Sequence, residues 1–533
     1  MRKRLFILGA VLSGSINSLT AQITFQKTID RTSYDYGYAV HQTTDGGYII
    51  GGYTTSLGFD YYLIKADSTG DTLWTRTFGD ISHDDKAYSA QQTSDGGYII
   101  TGQTEGFGGT NYNIYVVKTD PNGNLQWSKE FVGILSDDYS RSVQQTSDGG
   151  YIIAGTTGTY GVGGFDIYLI KVDANGDSLW TRTFGDTGFE LGYYVQETAD
   201  GGFIITGNTT SFGAGLRDVC LIKTDQNGMV SWTKTFVGTD DDYGYFVQQT
   251  ADSGYIISGY TLSFGAGDYD VYLIKTDGSG NLLWSKTFGG ADEDEALCVQ
   301  QTSDGGYIIS GYTGSFGAGD YNAYLIKTDA NGDSLWTKTY GGAESESGHF
   351  VEQTSDGGYI ITGTTMSFTF ADVDVYLIKT DADGNSGCHE GSTATIVTIP
   401  ATQVTSPALM VTSGGFIGFP SPLTGSGGTV TTLCSTTGIN DPDNYRDQFP
   451  ISIFPNPSPG NFAITFADVI HKGEIQIFNT CGIKVFTQNI HDISGLEIHL
   501  KNIPGGIYFV KVDVYPDLIG NGEKYYSKKI IIE

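Results

Sequence analysis

The chain has 533 residues, among them 76 Gly, 35 Tyr and 12 Pro, and a formal net charge of −31. Its length favours more than one folded unit, and its glycine and aromatic content suits short strands joined by tight turns rather than helices. A surface this acidic repels phosphate backbones and anionic lipid heads, so no nucleic-acid partner is expected.

In chain order, MRKR comes first, then the apolar run LFILGAVLSGSINSL and TAQ. Basic, apolar and small-residue segments in that order predict a secretory signal peptide over 1–21, cut after Ala21. The run is too short, and too broken by Ser13, Gly14, Ser15 and Asn17, to serve as a membrane anchor, and no later stretch reaches spanning length.

From residue 42 the chain repeats itself. QTSDGGYII stands at 92–100, 145–153, 301–309 and 353–361, with looser copies at 42–50, 197–205 and 249–257. The Asp of this motif falls at 45, 95, 148, 200, 252, 304 and 356, so the period is 50 to 53 residues. The sixth unit shows four strand-like runs: ALCVQQT (296–302), YIISGYT (307–313), YNAYLIKT (321–328) and SLWTKTY (334–340). SDGG supplies a tight turn between the first two, and DANGD an Asn-Gly hairpin turn between the last two. Seven such units predict an all-β chain: a seven-bladed β-propeller with four-stranded blades over 22–385.

The ends of the repeat region support a closed ring over an open solenoid. ITFQKTID (23–30) aligns with LLWSKTFG (282–289) as an orphan fourth strand, while the last unit stops at VYLIKTD (375–381) without one. The first strand is therefore expected to complete the last blade. All six Trp (74, 127, 180, 232, 284 and 336) share the fourth-strand position, which suits packing between blades better than ligand stacking. Lysines recur in each LIKT-type strand, and a cation follows each Trp, and Phe25 in the Trp position, by two residues; these positions take 14 of the 18 cations in 23–385, leaving Arg31, Lys86, Arg141 and Arg217. They read as ion pairs rather than a basic binding face.

Units such as DGGYIISGYT and DANGDSLWTKT resemble the seven-bladed propeller repeats of secreted bacterial proteins. The resemblance implies the fold and not the activity. DANGDSLW also resembles the Asp-box of sialidases, but Gly332 to Trp336 is one residue too long and the arginine cluster such an enzyme needs is missing. No G-x-S-x-G, H-E-x-x-H or Cys/His pairing occurs, and His41, His83 and His349 are scattered singly. No catalytic residue or cofactor is assigned. The loops between blades are acidic, as in TDDDYG (239–244) and ADEDEA (291–296). Clustered carboxylates suit a hard cation, so Asp240, Asp241, Asp242, Asp292, Asp294 and Glu295 are the candidate Ca²⁺ ligands, weighed against a solvated acidic rim.

Residues 386–449 are rich in Ser, Thr, Gly and Pro and nearly uncharged. They read as a linker or small accessory β-segment in which Cys388 and Cys434 could form a disulfide; Cys220 and Cys298 read as buried small hydrophobes. From 450 to 533 charge is near balance, 8 acidic against 7 basic residues. Runs such as EIQIFNT and GIYFVKVDV predict a small Ig-like β-sandwich. FPNPSPGNF, GGIYFVKV and the terminal KKIII resemble the type IX secretion C-terminal sorting domain known in Bacteroidota. The matching positions are Pro455, Asn456, Pro457, Gly460, Gly505, Gly506, Tyr508, Lys528 and Lys529, with Phe454 where that family often has Tyr. The resemblance implies recognition by the type IX machinery and delivery to the outer-membrane surface or beyond. The function expected is non-enzymatic binding or adhesion to a glycan or protein, with a polysaccharide-acting hydrolase or lyase, its site at the channel mouth, as the alternative.

Overall fold

A computed structural model describes residues 22–436, apart from 32–33, 56–57, 80–82, 106–110, 134, 215, 370–371, 408, 413–415, 419–422 and 426–428. It also describes 451–532, apart from 455–460, 471, 480–483, 500–505 and 515–523. The signal-peptide run lies outside the described residues. The chain divides into two compact units, 1–436 and 437–533, and every regular element among the described residues is a strand.

Unit one is a ring of seven antiparallel sheets. Blade 1 pairs Asp35–Gln42, Tyr48–Thr55, Phe59–Ala66 and Thr72–Gly79, from the axis outward. Second and third strands such as Tyr255–Thr261 and Asp270–Thr276 are buried at every position. Both of their faces meet neighbouring blades, which is why they read as unbroken Ile, Val, Leu and Tyr. Inner strands such as Asp242–Gln249 alternate buried with half-buried residues because one face borders the axis.

The repeated nonapeptide is a structural device at each of its residues. In blade 2, Thr93 Oγ1 donates to Asp95 Oδ1 at 2.5 Å, Gly97 N donates to the same oxygen at 3.0 Å, and Lys118 Nζ lies 2.9 Å from Asp95 Oδ2. Gly96 has φ of 83°, the left-handed region glycine tolerates best. A Cβ on Gly97 would stand 2.1 Å from the Thr119 carbonyl oxygen. The leading Gln reaches the neighbouring blade: Ser94 N donates to Gln145 Oε1 at 2.7 Å, and Ser355 N to Gln42 Oε1 at 2.8 Å across the seam between blades 7 and 1.

The ring closes as expected. Thr24–Asp30 pairs antiparallel with Asp374–Thr380, Phe25 opposite Lys379. Phe25 takes the Trp position and packs edge-on to Tyr48 of blade 1 at 6.2 Å between centroids, as Trp232 does to Tyr255 at 5.8 Å. The recurring lysines form ion pairs, such as Lys275 with Asp252 at 2.9 Å within a blade and Lys129 with Asp177 at 2.9 Å between blades.

The segment expected to be a linker or small accessory β-segment holds short strands that form a belt, and the compact unit that contains the propeller runs to 436. Short strands between 390 and 436 add a fifth, outermost strand to every blade, in the order 6, 5, 4, 3, 2, 1, 7. Tyr340 faces Glu390, Phe288 faces Val397, Phe236 faces Val404, Phe184 faces Val411, Phe131 faces Ile417, Phe78 faces Thr424 and Ile29 faces Val430. Cys388 and Cys434 are joined by a disulfide, with their Cα atoms 6.0 Å apart, while Cys220 and Cys298 are buried thiols in separate blades.

Unit two holds a three-stranded sheet containing Ile451–Phe454, Asn461–Ile470 and Ile493–His499, and a four-stranded sheet containing Gly473–Asn479, Lys484–Ile490, Gly506–Val514 and Lys524–Ile532. Ile475 and Ile477 face Val512 and Val510 across one strand pair, and all four are buried. The FPNPSPGNF positions Pro455, Asn456, Pro457 and Gly460, together with Gly505, lie outside the described residues. Gly506 and Tyr508 sit in the strand Gly506–Val514, with Tyr508 opposite Ile530 and Lys528 opposite Val510.

Candidate functional site

The blades are near-copies, so a site is sought where they differ. The first residue of each inner strand is Asp or Glu in all seven blades, and the sixth is Val or Ala. The fourth varies: Tyr38, Tyr88, Arg141, Tyr193, Tyr245, Leu297 and His349 in blade order. The second varies too, from Tyr36 through Lys86, Tyr139, Leu191, Tyr243 and Glu295 to Ser347. These residues are half-buried and lie at the strand end nearest the acidic loops, so they line the channel mouth on that face.

Deeper along the same strands aromatic rings reach across the channel. Tyr194 packs on Phe246 at 3.8 Å between centroids, and Phe246 approaches Phe350 of blade 7 at 5.8 Å. Blade 6, between them, has the small Cys298 at this level, which leaves room for the two rings to meet. The mouth is therefore a cup with an apolar floor.

Half of these wall residues are tyrosine. Tyr38 stacks on His349 at 4.4 Å and meets Tyr88 edge-on at 5.1 Å, and the Arg141 guanidinium lies 4.0 Å from the Tyr88 ring centre. On the far side Tyr193 meets Tyr245 at 4.8 Å, and Tyr243 stacks on Tyr260 at 4.5 Å. Arg217 Nη1 donates to Tyr243 Oη at 2.5 Å. Three of the four cations left over by the repeat pattern, Lys86, Arg141 and Arg217, thus gather around this cup.

Blade 6 and the loop leading into it contribute acid. Tyr321 Oη donates to Glu293 Oε2 at 2.7 Å. Burial, only partly offset by a hydrogen bond from Tyr312 and reinforced by the Glu293 charge, pushes Glu295 up to about 7. In blade 7, Ser347 Oγ lies 2.9 Å from His349 Nε2, and His349 Nδ1 lies 2.8 Å from the Gly37 carbonyl oxygen. The carbonyl accepts only, so Nδ1 carries the proton and Nε2 accepts from Ser347. Burial lowers His349 to about 4, which makes the pair a weak general base at neutral pH.

The six candidate calcium ligands are not brought together. Asp242 and Asp294 turn inward and are buried, the latter accepting from Gly290 N and Ser315 Oγ, both at 2.7 Å. They staple the blade-connecting loops. Glu295 belongs to the cup wall, Asp241 lies 4.0 Å from Arg217, and Asp240 and Asp292 are exposed. Among the described residues one other trio, Asp30, Asp35 and Asp374, brings carboxylate oxygens within 4.8 Å of one another at the seam. Calcium takes six to eight oxygens. Here Arg31 N already donates to Asp35 at 2.6 Å, and burial with the neighbouring charges raises Asp374 to about 7, so a proton answers this crowding more simply than a cation.

The sequence points to the acidic loops for a cation and to the channel mouth for the enzyme alternative, and it does not single out the tyrosine wall. Its signal was variation at two fixed positions before each VQQT-type run, where everything around is repeated.

Residues 452–533 match the family model described as secretion system C-terminal sorting domain. A 263-residue alignment to the regulatory protein FlaEY of Caulobacter vibrioides is 25% identical and covers 41% of this chain and 27% of that protein. The chain thus spans about a quarter of that relative. Two solved structures from B. thetaiotaomicron, the extracellular domains of the one-component system BT4673 and the hybrid two-component system BT3049, align over 93% of the chain. They are 11% and 13% identical, cover 68% and 84% of those chains and have TM-scores of 0.34 and 0.17. No helix of the described residues is long and apolar enough to cross a membrane. The chain is a seven-bladed β-propeller with a secretion sorting tail, which directs it to the cell surface or the extracellular space.

Proposed function

We propose that this is a surface or released binding protein, non-enzymatic, whose tyrosine-walled cup holds sugar rings of a glycan. The observation that supports this is the concentration of blade-to-blade difference in one aromatic mouth. Tyrosine faces stack on the apolar faces of sugars, while Arg141, Arg217 and the tyrosine hydroxyls offer hydrogen bonds. The tail carries the chain through the type IX system across the outer membrane, after the signal peptide has taken it across the inner one.

The test is a glycan array probed with the purified propeller, repeated with Tyr88→Ala and Tyr245→Ala. Binding lost in both variants at unchanged melting temperature supports the cup; binding unchanged in both refutes it. One observation favours a second reading, a polysaccharide-acting enzyme. Glu295 is held near 7 beside Glu293, the environment of a proton-donating carboxyl. Release of reducing ends from a polysaccharide panel, abolished by Glu295→Gln, would replace binding with hydrolysis.

A further inference from the structure

Among the described residues each belt strand lies at the edge of a separate sheet and pairs with a blade's outermost own strand rather than with another belt strand. It cannot fold before the ring exists. Cys388 and Cys434 are separated by 46 positions, yet they meet, because the belt leaves blade 7, visits the other six and returns.

The meeting point is the closing strand. Cys434 lies opposite Gln26, and Gln26 Nε2 donates to Ser386 Oγ at 2.7 Å and to the Cys388 carbonyl. Glu390 fixes the start of the belt by accepting from Ser386 N at 2.6 Å. The second unit begins at Thr437, three residues past Cys434. The bond therefore stands between the belt and everything C-terminal to it.

We infer that the Cys388–Cys434 disulfide is a redox-sensitive clasp that closes the belt into a covalent hoop around the finished propeller and forms as the last step of folding. Closing it takes two thiols and an exchangeable disulfide, which accepts two electrons and leaves as two thiols. Opened, the C-terminal end of the belt is held at blade 7 only by its pairing with Thr24–Asp30 and peels from there, uncovering fourth-strand edges that then template self-association. Closed, it has no free end, so neither a pull on the tail nor its removal can start the peeling.

The test uses the full-length chain in three forms: oxidised, treated when folded with a phosphine, and carrying Cys388→Ser with Cys434→Ser. The phosphine takes oxygen from water and leaves two thiols. Limited proteolysis with peptide mapping should show cuts within 386–436 roughly thirtyfold faster in the reduced and double-serine forms, while a 22–385 fragment stays whole. Equal cutting rates in oxidised and reduced protein overturn the clasp, as does loss of belt and blades together. Should the variant fail to fold, reduction of the folded chain still decides. During oxidative refolding, Cys388 and Cys434 should remain open to alkylation after blade tryptophan fluorescence has recovered; a bond formed before that recovery also overturns it.

Discussion

Single residues in this protein separate into two classes of carboxylate with opposite pH behaviour. Turn aspartates such as Asp252 are partly desolvated, yet hydrogen bonds from Thr250, Lys275 and Gly254 hold Asp252 down to about 2. Carboxylates at the blade-loop ends are buried against one another: burial with Glu190 and Asp186 raises Asp166 to about 7, and burial raises Asp35, Asp138 and Asp294 to about 6. An acid raised in the folded state stabilises fully below its ordinary value near 3.8, and that stability is lost as pH rises through 6 to 7. An acid held near 2 contributes above 3.8 and loses its contribution as pH falls. The melting temperature should therefore rise as pH is lowered from 8 to 5 and fall again below 4, checked by calorimetry across that range. Blades 2 and 6 carry Asn113 and Asn322 where blade 3 has Asp166. Asp166→Asn should stabilise by about 2 kcal/mol at pH 8 and by less than half as much at pH 5. A variant no more stable than wild type at pH 8 refutes the assignment.

At the scale of elements, the seven blade turns are built alike and tolerate little. Gly97→Ala drives a methyl toward the Thr119 carbonyl at 2.1 Å and should cost about 2–4 kcal/mol by chemical denaturation, whereas Leu283→Ala on an exposed strand position should cost under about 1 kcal/mol. Trp232→Ala empties the space between Tyr255 and Gly280 of blade 5 and should cost about 3 kcal/mol. Blades, turns and ring closure were legible because each is written as a period: Asp45 to Asp356 counts the turns, Trp74 to Trp336 the fourth strands, and Phe25 marks the strand out of place. The belt was legible only as a linker or accessory β-segment, not as a strand added to every blade. Its strands are mostly three residues long, too short to show alternation, and each takes its partner from a different blade. The one trace is VT at 397, 404 and 411, a seven-residue step that makes sense only once the spacing of the blades is known. The cup was missed for the opposite reason: function sits in the positions that do not repeat, and a repeat-based reading treats those as noise.

At the scale of the whole molecule, the two units have separate tasks. The ring is completed by residues 24–30 and belted by 390–436, so nothing after 436 is needed to close it. A chain ending at 436 should melt within a few degrees of the full-length propeller and keep its disulfide, yet remain in the periplasm of a host with type IX secretion. A reporter fused ahead of 437–533 should be exported instead. A truncated chain found outside the cell would refute the sorting role and leave the propeller untouched.

The belt also bears on how the gene can change. Near-identical repeats invite unequal recombination, and a propeller copied this faithfully could be expected to drift between six, seven and eight blades. The belt does not drift with them, because its seven strands are encoded once, downstream, and not within the repeats. A gene that gained a blade would leave one fourth strand bare and the two cysteines a blade apart; one that lost a blade would leave slack chain and a misplaced clasp. The belt is thus a gauge of fixed length, laid round the ring against the order of the blades, and only a chain with seven of them can fasten it.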